Sequence, residues 1–167
     1  MSFLRVNNFY KYYCMNVEYR GISSGNLMEE ILELCEKYQA CRVEEERREE
    51  CAEVKRRLEE LCEEGRMRIG EADAGLLVAL MDAYEVTRDE GMLQEVLDAV
   101  SEVAEELEAS PLHVKLLAYC YFYTEDEECA ELAKRMLERL RADRSVTEAE
   151  LEKAREIYGE LVEESGC

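Results

Sequence analysis

DAGLLVALMDAY at residues 73–84, SPLHVKLLAYCY at residues 110–121 and TEAELEKAREIY at residues 147–158 follow one another at intervals of 37 residues. Each opens on a residue suited to cap a helix, Asp73, Ser110 or Thr147, whose short side-chain oxygen can accept from the free N–H groups of a first turn. In register behind the caps stand Leu77, Val114 and Leu151, then Leu80, Leu117 and Ala154, then Ala83, Cys120 and Ile157. Tyr84, Tyr121 and Tyr158 complete the column. Spacings of three and four residues place these positions on one helix face, so the stretch from Asp73 is periodic and helical.

The first two copies continue alike. Thr87 with Glu90, and Thr124 with Glu127, have the spacing of a capping box, with Asp89 and Asp126 between them, and predict the start of a second helix in each unit. Met92, Val96, Val100 and Val103 then match Cys129, Ala133, Leu137 and Leu140 as its apolar stripe. The third copy stops after one helix, near Glu164, as a terminal repeat does when its last helix serves as a cap. A repeated helix-turn-helix unit with Ala118 and Tyr121, followed by Cys129, Ala133 and Met136, resembles the tetratricopeptide repeat over residues 73–164. It departs from that family in its period, which there is 34, and in lacking the consensus Trp, Leu-Gly pair and closing Pro. The resemblance implies helical hairpins stacked as a short solenoid or bundle with a groove for peptides or proteins.

Upstream, residues 26–70 carry two stripes. Leu27, Ile31, Leu34, Tyr38 and Cys41 form the first, and Cys51, Val54, Leu58 and Leu61 the second, separated by the charged run Glu44 to Glu50. The second stripe is turned by more than half a helix circumference from the first, which fits either two helices or one long helix facing different neighbours. Residues 1–25 are rich in aromatics and poor in acids. Asn7-Asn8 between Phe3-Leu4-Arg5-Val6 and Phe9-Tyr10-Lys11-Tyr12-Tyr13 fits a short β-hairpin, and an aromatic N-terminal arm capable of homo-oligomer contact fits equally.

Composition agrees with an all-α protein. Of 167 residues, 41 are Asp or Glu and 21 Lys or Arg, with one Pro and eight Gly, giving a formal net charge of −20. That charge argues against direct binding to nucleic acid or an anionic membrane. Glu and Arg enrichment also fits the surface ion-pair networks of thermophiles. With no apolar run of membrane-spanning length and no secretory leader pattern, the expected location is the cytoplasm. The chain is cysteine-rich, with eight Cys, but no CxxC pair, so an ordinary zinc site is not expected.

No reaction is named by these residues. His113 is the only histidine and sits in the first turn opened by Ser110-Pro111, a structural place rather than that of a catalytic base. Gly65 to Gly70 has the glycine spacing of a phosphate loop, yet Glu71-Ala72 stands where Lys and Ser or Thr would be required. Neither a cofactor nor a metal is expected, because the glutamate clusters have the layout of solvated helix faces. The cysteines on apolar stripes read as core. Cys120 and Cys129 flank one predicted hairpin turn and form the candidate disulfide.

The expected function is therefore a non-enzymatic protein-protein interaction module or scaffold, with Tyr84, Tyr121 and Tyr158 as candidate interaction residues. The expected partner is a protein or peptide, and the acidic surface favours a basic one. The alternative is an acidic nucleic-acid mimic that inhibits a basic nucleic-acid-binding protein.

Overall fold

The structure, a computed structural model, describes residues 25–43 and 48–163, and every regular element among them is helical. Seven α-helices run in order: α1 Gly25–Arg42, α2 Arg48–Met67, α3 Ala74–Thr87, α4 Glu90–Val103, α5 Pro111–Thr124, α6 Glu127–Ala142 and α7 Glu148–Tyr158. Short 3₁₀ turns follow α2 and α4, and a π-helical turn, Gly159–Glu163, follows α7. Among the described residues of 26–70 there are two α-helices, α1 and α2, followed by the start of a 3₁₀ turn. The β-hairpin or arm proposed for residues 1–25 lies outside the described residues apart from Gly25, which opens α1.

The three caps expected 37 residues apart are all formed. Asp73, Ser110 and Thr147 accept from the backbone N–H of Leu76, His113 and Glu150 at 3.0 to 3.1 Å. Thr147 and Glu150 make the full reciprocal box. The first two copies also end alike, at Arg88 and Glu125 in the left-handed region, φ 54° and 60°, each donating its N–H to the carbonyl of Tyr84 or Tyr121. This turn corrects the second pair of caps. Thr87 and Thr124 are the last residues of α3 and α5, and the side chains that cap α4 and α6 are Asp89, accepting from Met92, and Asp126, accepting from Glu128. The left-handed residue carries the chain on before it turns back, so the second helix starts two residues later than the threonine spacing suggested and the aspartate reaches the free N–H groups.

The chain forms two compact units, one of the described residues up to Val96 and one from Leu97 onward. In the first, α1 packs on α2 and α3, and α2 on α3. Helix α3 is buried on all sides from Gly75 to Val86, including Asp82 and Glu85, so it is the central helix rather than a one-faced amphipathic one. Gly65 lets α2 approach it: a Cβ there would stand 3.0 Å from Leu80 Cδ2. The glycine pair thus divides between the last turns of α2, which hold Gly65, and the 3₁₀ turn Ile69–Glu71, which holds Gly70. Arg66 ties the end of α2 to α4, pairing with both carboxylate oxygens of Glu95 at 2.8 and 2.9 Å and with Asp89 at 3.0 Å.

In the second unit α5 packs on α6 and α7, and α6 on α7. Helix α5 is wholly buried from Val114 to Cys120, with the Lys115 ammonium 5.5 Å from the centre of the Tyr119 ring. Helix α6 is amphipathic, burying Cys129, Ala130, Ala133, Met136 and Leu140.

Candidate interaction surface

The 37-residue tyrosine column does not present three equal side chains. Tyr84 is buried, its hydroxyl donating to Glu90 at 2.5 Å and the Arg88 guanidinium lying 5.6 Å from its ring centre. That hydrogen bond and burial raise its phenol above the ordinary range. Tyr121 and Tyr158 are half-buried. Tyr158 lines a cleft of about 540 Å³ with Lys134, Leu137, Arg141 and Arg155, and burial, then the charge of Glu163 and Glu131, pushes its phenol up. His113 is a first-turn residue of α5: its N–H donates to the Ser110 cap, and its Nδ1 lies 2.5 Å from the Glu108 carbonyl oxygen.

A second cleft, of about 370 Å³, lies in the same unit where the end of α4 and its 3₁₀ turn meet the start of α6. Five carboxylates line it: Glu102, Glu105, Glu106, Asp126 and Glu128. Helix chemistry accounts for only part of this set. Asp126 and Glu128 stand at the N-terminus of α6, where the helix dipole favours negative charge and Asp126 serves as the cap. Glu102, Glu105 and Glu106 stand at the opposite pole. Helix α4 carries no basic residue in its last turn, and the 3₁₀ turn adds two more acids at its negative end. Charge in that place opposes the dipole, at a cost of about 0.3–1 kcal/mol per exposed group. Stability therefore does not explain it.

The two acidic arms also press on one another. The Glu105 carboxyl is hydrogen-bonded to that of Glu128 and raises the Glu128 carboxyl above its ordinary value, with Asp126 adding to the rise and Arg135 opposing it. Two carboxylates held together in water keep a local potential that an incoming cation relieves. The cleft was not found from sequence, although acids in the last turn of α4 with no compensating base were a visible signal.

Cys120 and Cys129, the candidate disulfide, carry free thiols in contact, one at the end of α5 and the other in the first turn of α6. Among the described residues no group of three or more His, Cys, Asp or Glu is arranged to hold a metal ion, and no helix is long and apolar enough to cross a membrane.

These features define a protein that is helical in its regular elements throughout the described residues, and whose described open sites are charged clefts lined by helix ends. Its fold is similar to the crystal structure of a transcription anti-terminator antagonist UpxZ from Bacteroides uniformis ATCC 8492, with a TM-score of 0.58 and 22% sequence identity over 82% of this chain and 92% of that one. Residues 26–122 match the family described as the UpxZ family of transcription anti-terminator antagonists, and the chain belongs to that family. Comparison with curated proteins gave no match. The matched stretch runs from α1 through most of α5 and so contains Glu102, Glu105 and Glu106, whereas the Tyr158 cleft lies beyond it.

Proposed function

We propose that this protein is a non-catalytic regulator in the cytoplasm that binds a transcription anti-terminator and blocks its action. Family membership over residues 26–122 carries the reading. The acidic cleft at the end of α4 is the contact surface: its carboxylates oppose the helix dipole, so their retention is explained by a basic partner group entering between Glu105 and Glu128. The repeated helical hairpins, which resemble the tetratricopeptide repeat, are the scaffold that holds this surface, and Tyr121 and Tyr158 provide a second, aromatic contact.

The test is binding of a purified anti-terminator to the full chain by isothermal titration at two salt concentrations, together with transcription through a terminator in vitro. Neutralising Glu102, Glu105 and Glu128 together as glutamines should weaken binding at least about tenfold and abolish the antagonism while leaving the helical spectrum unchanged. Unchanged affinity in that variant would move the contact elsewhere, and no binding to an anti-terminator would overturn the reading. Nucleic-acid mimicry is the second reading, favoured by the same uncompensated acids. It becomes the mode of action if added RNA displaces the protein from its partner competitively and affinity falls steeply with salt.

A further inference from the structure

Cys120 ends the wholly buried stretch of α5, and Cys129 lies in the first turn of α6, with the left-handed turn at Glu125 between them. In the 37-residue register they occupy the places of Ala83 and Met92, both fully buried in the first hairpin. Here those inward-facing positions carry sulfur, and the side chains are hydrogen-bonded to each other. Cys129 also opens onto the acidic cleft. Cys62, by contrast, is buried with its thiol pushed up to about 12 by burial and then by the charges of Asp89 and Glu63, which keeps it a protonated core residue.

We propose that Cys120 and Cys129 form an oxidation site at which hydrogen peroxide converts the dithiol to an intramolecular disulfide. Cys129, reached from the cleft, attacks one peroxide oxygen. The O–O bond breaks, the departing hydroxide takes a proton and leaves as water, and Cys129 becomes a sulfenic acid. The Cys120 thiol then gives up its proton as its sulfur attacks Cys129 Sγ. The S–O bond breaks, a second water leaves, and the two sulfurs have supplied the two electrons that reduced the peroxide. Because the two thiols already interact across a single turn, closing the bond needs only a local approach of the sulfurs.

The contact itself favours this order. The Cys120 thiol donates toward Cys129 and so holds the Cys129 thiol below its ordinary range against the opposing effect of burial, Asp126 and Glu128, while Cys120 is held protonated by the same bond and by burial. The cleft also selects the oxidant. Glu105, Asp126 and Glu128 repel an anionic disulfide such as oxidised glutathione but leave a neutral peroxide free to enter.

The experiment treats the full chain with a small excess of hydrogen peroxide or, separately, of oxidised glutathione. The reaction is quenched with acid, the protein is denatured in N-ethylmaleimide, and the digest is made with trypsin without reduction. Cleavage after Lys115 and Lys134 places both cysteines in one peptide. After peroxide the expected peptide carries no maleimide and is about 2 Da lighter than the dithiol form; after glutathione it carries two maleimides. In Cys120→Ser, Cys129 should be trapped by dimedone as the sulfenic acid, and Cys129→Ser should give no dimedone adduct at Cys120. Two maleimides after a peroxide dose that oxidises other cysteines overturns the proposal, as does a sulfinate on Cys129 in the wild-type chain instead of the bond. Glutathione reacting as fast as peroxide overturns the selectivity. The wild-type digest needs no mutant to fold and so decides the main point by itself.

Discussion

Gly65→Ala sets two effects of known size against each other. Alanine favours a helix over glycine by up to about 1 kcal/mol, less near the last turn of α2 where residue 65 sits. If local propensity ruled, the substitution would stabilise the protein. Against it, the new Cβ would meet Leu80 Cδ2 at 3.0 Å, with Cδ1 and Cγ at 3.5 and 3.6 Å. Leu80 is fully buried in the central helix α3, which α1 and α2 both cover, so it has little room to yield. Overpacking of this kind costs about 1–3 kcal/mol. The net expectation is a loss of about 0.5–2 kcal/mol, read by far-UV circular dichroism in urea as a midpoint lowered by roughly 0.3–1 M at an ordinary slope. Leu80→Ala alone should cost about 2–5 kcal/mol by leaving a cavity. The double variant should cost less than the sum, by about 1 kcal/mol or more, because the methyl added at position 65 enters space that Leu80 vacated. A stabilised Gly65→Ala, or strict additivity in the pair, would refute the close approach of α2 to α3.

Thr147→Ala removes the side-chain half of the capping box on α7, the hydroxyl that accepts from the Glu150 N–H, and should cost about 1 kcal/mol, whereas Thr147→Asp should keep most of it, both measured by thermal unfolding. Carbon-detected NMR of the side-chain carboxyls should find Glu128 titrating above the ordinary glutamate value, and Glu105→Gln should bring it down. Since the folded-state pKa is raised, the corresponding stability is present below the unfolded value and is lost as pH rises through the folded one. The pair therefore weakens the fold at neutral pH, and Glu105→Gln should narrow the stability difference between pH 4 and pH 7.

The interactions that the sequence alone disclosed are those closed within a few residues. Asp73, Ser110 and Thr147 cap their helices because each side chain needs only the N–H three residues on, so composition and spacing decide the matter before any packing occurs. The helical class and the recurrence of the unit were legible for the same reason. Where two local solutions competed, at Thr87 against Asp89 and Thr124 against Asp126, the left-handed residue between them settled the choice, and spacing alone pointed to the wrong one. Tertiary structure decided everything that depends on neighbours distant in sequence. The stripe of Leu77, Leu80 and Ala83 promised a one-faced helix, but α3 is buried all round, with both α1 and α2 packed on it. Gly65 stood in sequence only as half of a glycine spacing like that of a phosphate loop, and only the fold shows Leu80 standing against it. The shared tyrosine spacing could not foretell that Tyr84 would be buried while Tyr158 borders a cleft, because burial depends on which helix lies opposite. The acidic cleft is of the same kind: Glu105 and Glu128 are 23 residues apart, and only the packing of the α4 end beside α6 gives their charges a common effect. Hydrogen bonds along the chain are set by order, whereas desolvation and charge repulsion depend on what the folded chain brings near.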